Sequence, residues 1–99
     1  MNRAQYLALL EPAIALVEKK DQDYNSIVKR EDYFPFGDLS YVQMIHVKST
    51  RLRGLTGSRT QQPNFESVED TLYDLINYSV FHLEHIKKTK EKIDDDIPF

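Results

Sequence analysis

Apolar residues recur at three- and four-residue steps along three stretches of this chain, which is the interval of a helix. In the first, about Arg3 to Asp21, the repeat is carried by Tyr6, Leu7, Leu9, Leu10, Ala13, Ile14, Leu16 and Val17. Pro12 falls inside it, where the loss of one amide donor predicts a kink or a restart. A second helix is predicted from about Leu39 to Leu55, with Asp38 or Ser40 as its N-cap. Val42, Ile45, Ser49 and Leu52 trace one face of it. Met44, Val47 and Leu55 spread apolarity to its other sides, as in a helix central to a bundle. The third stretch, about Glu66 to Lys92, is the clearest. Val68, Leu72, Leu75, Ile76, Ser79, Leu83 and Ile86 form one stripe, predicted to be the seam that faces the core. Ser67 with Asp70 resembles a capping box. Lys87, Lys88, Lys90 and Lys92 crowd the far end, where the helix dipole favours cations.

No alternating strand pattern competes with these repeats. The predicted fold is all-α, a small helical bundle of three main helices forming one domain over residues 1–99, with a loose tail over 92–99. Between the first two helices, Arg30 to Gly37 reads REDYFPFG. Pro35 and Gly37 punctuate it, but three rings make it too aromatic for an ordinary solvent loop, so it is predicted to fold back onto the helices. Gly54 to Asn64 is the longest polar break. As a small three-helix chain with two apolar helix faces, the bundle is expected to be completed by self-association as a dimer.

Composition narrows the function. Thirteen Lys and Arg against 16 Asp and Glu give a net charge of -3, which argues against general nucleic-acid binding. The chain has no cysteine, so disulfide frameworks, thiolate catalysis and Cys-based zinc sites are excluded. No apolar run reaches bilayer length, and the first residues lack the grammar of a signal peptide. The expectation is a cytoplasmic protein with no membrane partner.

The candidate chemistry lies opposite the apolar stripe of the third helix. With Leu72 at zero and 100° per residue, Glu66, Asp70, Asp74 and Asn77 fall at about 120°, 160°, 200° and 140°. Phe81 lies near 180° in the same line, beside Tyr73 and Tyr78. Acids in a first helical turn need no function, because the dipole favours them. Asp74 is different: four residues after Asp70, it makes a like-charge pair that costs a few tenths of a kcal/mol, roughly 0.2–0.5. A cation shared by the two reverses that sign, and oxygen donors suit Mg²⁺ or Mn²⁺. The alternative is a solvated or interfacial face.

Lys48 and Arg51 lie one turn apart on the second helix and suit a phosphate, Arg by its bidentate fork; exposed basic pairs also serve solubility alone. Arg59 sits in a polar loop able to close over an anion. The Gly-x4-Gly-Lys-Ser/Thr spacing of a phosphate-binding loop is absent. His46, His82 and His85 form no His-x3-His pair and are read as partly buried polar residues. Ser/His/Asp catalysis has no local signature.

Three segments together resemble a known family. They are Lys20-x-x-Asp23-Tyr24-Asn25, then Phe36-Gly37 leading to Lys48-x-x-Arg51-Leu52, then Glu66-Ser67-Val68-Glu69-Asp70-Thr71-Leu72-Tyr73-Asp74-Leu75-Ile76-Asn77-Tyr78. The chain resembles the nucleotide modification associated domain 1 family, small proteins common in bacteriophages and thought similar to the all-α pyrophosphohydrolases of the MazG and dimeric dUTPase type. The resemblance runs from about Lys19 to Leu83 and implies a phosphate-containing nucleotide, a deoxynucleotide first, in a helical cleft. It implies Asp70 and Asp74 as catalytic residues holding Mg²⁺ (or Mn²⁺), with Glu66 in the metal set. Lys48 and Arg51 would meet phosphate, Asp23, Tyr24 and Asn77 would orient base, sugar or metal water, and Lys20 joins them among the nucleotide-binding residues. In such hydrolases paired metals polarise the phosphate and activate water. The Glu-Glu-x-x-Glu cluster of MazG-type enzymes is absent from the first two helices. One wall of the metal cage is then missing unless Asp21, Asp23, Glu31 or a second subunit supplies it.

The expected function is therefore binding, with hydrolysis as an extension, of a (deoxy)nucleoside triphosphate. The alternatives are a non-catalytic nucleotide-sequestering protein and a helical module that docks a host protein through Tyr33, Phe34, Phe36 and Phe81.

Overall fold

A computed structural model describes residues 1–22, 27–57 and 65–96, the side chains of 65, 66 and 94–96 excepted. Three helices and one 3₁₀ turn follow in order: α1 (Arg3–Asp21), the turn (Arg30–Tyr33), α2 (Asp38–Thr56) and α3 (Phe65–Asp96). Among the described residues there is no strand, as the periodicity predicts. The bounds of α1 agree with the sequence reading, whereas α3 runs four residues further, into the expected tail.

Each start has a local cause. At α1, the Asn2 side chain accepts from the Gln5 amide at 2.9 Å, and the Gln5 side chain accepts from the Asn2 amide at 2.8 Å. This is a capping box that satisfies two donors reciprocally. The helix continues through Pro12, so the proline is carried inside it and starts no new helix. At α2 the cap is Gly37, at φ +59° and ψ -130°, a conformation that only glycine enters cheaply. Asp38 occupies the first turn instead of the cap, and the Ser40 hydroxyl accepts from the Phe36 amide at 2.9 Å. The Ser67–Asp70 pair is not a cap, because α3 has already begun at Phe65.

Helix α3 packs chiefly on α2 and to a lesser degree on α1. The contact with α2 is a ladder of rings. Phe34 stacks on Tyr41 with centroids 4.3 Å apart, and Tyr41 in turn stacks on His82 at 5.5 Å. Phe34 also meets Tyr78 edge-on at 6.1 Å, and Tyr78 meets Phe81 at 6.1 Å. The aromatic segment therefore does fold back onto the helices. His82 and Asp38 lie at hydrogen-bond distance, 2.9 Å, tying the start of α2 to α3. On the other side Asn77 donates to the Ala13 carbonyl at 3.1 Å, and Ala13 is small enough to be fully buried there.

One expectation is corrected. The stripe of α3 predicted to face the core is turned partly outward: Leu72, Leu83 and Ile86 are exposed, at 42%, 54% and 38%, while Val68, Leu75 and Ile76 are half-buried. The side that packs inward is the aromatic and polar one, with Thr71 buried and Asp74, Tyr78, Phe81 and His82 partly covered. Rings bury large area and prefer edge and offset contacts with one another. The aromatic segment before α2 can complete such contacts only on the side of α3 that carries Tyr78 and Phe81.

Candidate functional site

Arg30 organises the junction of α1, the 3₁₀ turn and α3. Its guanidinium fork splits, Nη1 to Asp21 at the end of α1 and Nη2 to Glu84 on α3, each at 3.2 Å. Its Cζ lies 4.3 Å from the centroid of Phe81. Only a planar guanidinium offers two donors at the right splay while stacking on a ring. One side chain thus pins α1 and the 3₁₀ turn to α3.

Beside this clamp is a cavity of about 160 Å³. Its ring wall is Tyr33, Phe34, Tyr78 and Phe81, and its polar wall is Lys20, Asp21, Arg30, Asp74 and Asn77, with Val17 between. Ligand cavities usually span about 300–1,000 Å³, so this one has room for a single ring system or one phosphate. A shallower cleft between α1 and α3 adjoins it, sharing Val17, Asp21, Arg30, Asn77 and Phe81.

Asp74 is partnered. Lys48 reaches across from α2 to its carboxylate at 3.0 Å, both side chains about a quarter exposed (23% and 25%). This settles the like-charge problem raised by the Asp70–Asp74 spacing, through a lysine of the neighbouring helix. Inside the cavity two cations, Lys20 and Arg30, stand against two carboxylates, Asp21 and Asp74. Lys48 adds a third positive charge at the Asp74 edge.

Of the residues singled out by sequence, Lys20, Asp74 and Asn77 meet in this cavity, and Lys48 joins them through Asp74. Asn77 already uses its amide on Ala13, so it positions α3 as well as lining the site. Asp70 and Arg51 are exposed and do not line the cavity. Asp23, Tyr24, Arg59 and the Glu66 side chain lie outside the described residues. Among the described residues, no three His, Asp or Glu side chains are grouped to hold a metal ion. No helix among them is long and apolar enough to cross a membrane.

Sequence reasoning passed over Arg30. Its partners lie nine and 54 positions away for the ion pairs, so no periodicity links them. The available signal was a cation heading an aromatic segment that had to fold back onto charged helices.

Comparison with protein families matches residues 20–87 to the family described as nucleotide modification associated domain 1. Comparisons with curated proteins and with solved structures brought no match.

Proposed function

The chain belongs to the nucleotide modification associated domain 1 family, and from that premise we propose that it binds a nucleotide at the Lys20–Asp74–Asn77 cavity. The base occupies the ring-walled end, where flat heterocycles stack favourably. The cavity has room for the base alone, so the phosphates lie outside it, past its Lys20 edge and toward Lys48, the latter turning from Asp74 to the anion. The observation that supports this most is the pairing within one small cavity of four aromatic rings with lysine and arginine. Such a mixture suits a ligand that is flat at one end and anionic at the other. Magnesium is one arm of the test, with Asp74, Asp70 and Glu66 as the acids it would draw on.

The test is thermal stabilisation against a panel of deoxynucleoside mono- and triphosphates, with and without Mg²⁺. A ligand at one hundred times its Kd adds about 2.7 kcal/mol, which for a chain this size raises Tm by roughly 10 °C or more. Lys20→Ala should weaken the response. No shift with any nucleotide at millimolar concentration overturns the reading. Release of pyrophosphate that is lost in Asp74→Ala would extend binding to hydrolysis.

A second reading has one observation in its favour. Tyr33, Phe36 and Leu39 are exposed at 63%, 76% and 74%, a patch suited to docking another protein. If nucleotides leave Tm unchanged, this interaction module becomes the better account.

A further inference from the structure

The cavity beside Arg30 has the size of one ring. At about 160 Å³ it is close to the engineered apolar cavity of about 150 Å³ that takes a single benzene molecule. Tyr33, Phe34, Tyr78 and Phe81 give it aromatic walls. A flat six-membered ring finds both the room and the stacking surface there.

The side toward the neighbouring cleft is closed by groups that are already anchored. Val17, Asp21, Arg30, Asn77 and Phe81 line both spaces and so stand between them. Asn77 donates to the Ala13 carbonyl at 3.1 Å, and Arg30 pairs with Asp21 at 3.2 Å. Arg30 is held a second time by Glu84, at 3.2 Å, and lies over the Phe81 ring. Driving this partition aside breaks an ion pair or leaves the half-buried Asn77 amide without its acceptor, and a polar group stranded in that way costs free energy. Lys20 and Asp74, by contrast, line the cavity but not the cleft. The edge they form is the way out for a sugar.

From this we infer that the site selects a pyrimidine nucleotide over a purine nucleotide. The inference rests on the nucleotide reading above and adds to it the class of base. In a pyrimidine nucleotide the sugar is attached to the six-membered ring itself. The base then fills the cavity while the sugar begins at its Lys20 edge. A purine carries its sugar on a second, fused ring. Taken in whole, it has to displace the partition. Left with the second ring outside, it carries the phosphates a ring's width away from Lys20 and Lys48. Either way it loses an interaction that a pyrimidine keeps. Asn77 serves cytosine, uracil and thymine alike: with one N–H on Ala13, its amide retains a second N–H and a carbonyl oxygen, a donor beside an acceptor. Val17 is the one aliphatic member of the partition, so it limits ring size by bulk alone.

Titration calorimetry of the full chain with dCMP, dTMP, dAMP and dGMP tests the selection. The better pyrimidine nucleotide should bind about tenfold or more tightly than either purine nucleotide. Val17→Ala opens the partition without removing a polar contact. It should cut the preference to roughly threefold or less, chiefly by improving the purine Kd. The comparison on the unaltered chain decides the matter by itself if that variant fails to fold. A purine nucleotide that binds as tightly as the better pyrimidine overturns the inference and leaves the nucleotide reading standing. A preference that Val17→Ala leaves unchanged, in a variant with the helical content of the parent, overturns the size argument. If none of the four nor their triphosphates binds at millimolar concentration, both readings fall.

Discussion

The two long faces of α3 teach opposite lessons about burial. One is an almost pure aliphatic stripe, yet it stays on the outside of the chain, with Leu83 more than half exposed. The other carries an aspartate, an asparagine, two histidines and two rings, and it packs against α1, the 3₁₀ turn and α2. Hydrophobicity alone ranks the faces the wrong way round. What selects the inner face is complementarity: the polar groups there have partners fixed on neighbouring elements, while the aliphatic stripe is covered in part, where Leu75 and Ile76 border α1, and left exposed at Leu72, Leu83 and Ile86. A polar group can be covered when it is paired, and a stripe of leucines waits for any apolar surface that fits it.

The sharpest way to break this contrast is to empty the inner face and compare it with the outer. Phe34→Ala removes the ring that joins Tyr41 to Tyr78 and should cost about 3 kcal/mol in urea unfolding. Leu83→Ala, measured at high dilution, should change stability by no more than about 0.5 kcal/mol. Equal losses would show that the aliphatic face is the true core. Gly37→Ala comes next, at about 1–3 kcal/mol. It forces a side chain into the φ +59° turn and puts a Cβ 3.4 Å from the His85 ring, itself part of the inner face.

Lys48→Ala should cost less, roughly 0.5–1 kcal/mol, because its partner Asp74 is still a quarter exposed and solvent screens the pair. Its effect on nucleotide affinity should exceed its effect on stability. The smallest effect near neutrality concerns Tyr41, whose burial, helped by the negative charges of Glu31 and Glu84, pushes the phenol above its usual 10.0. A group with a raised folded pKa contributes stability that is fully present below its unfolded pKa and lost as pH rises through the folded one. Urea midpoints should therefore be level with respect to this group below about pH 9 and fall beyond pH 10.0. In Tyr41→Phe that part of the fall should vanish.

Much of this arrangement was readable from the chain. Helix positions and the return of the REDYFPFG segment follow from periodicity and ring content. Arg30 was not readable. Its value lies in joining Asp21, Glu84 and Phe81, residues brought together only after three elements have packed.

Local spacing was enough to define the helices and the two chemically distinct sides of α3, because a 3.6-residue turn sorts side chains by face without reference to anything else. Which side would turn inward was left to the packing. That choice depends on what the neighbouring elements offer, and rings, a lysine and an arginine offered at fixed positions outweighed a richer but unmatched run of leucines.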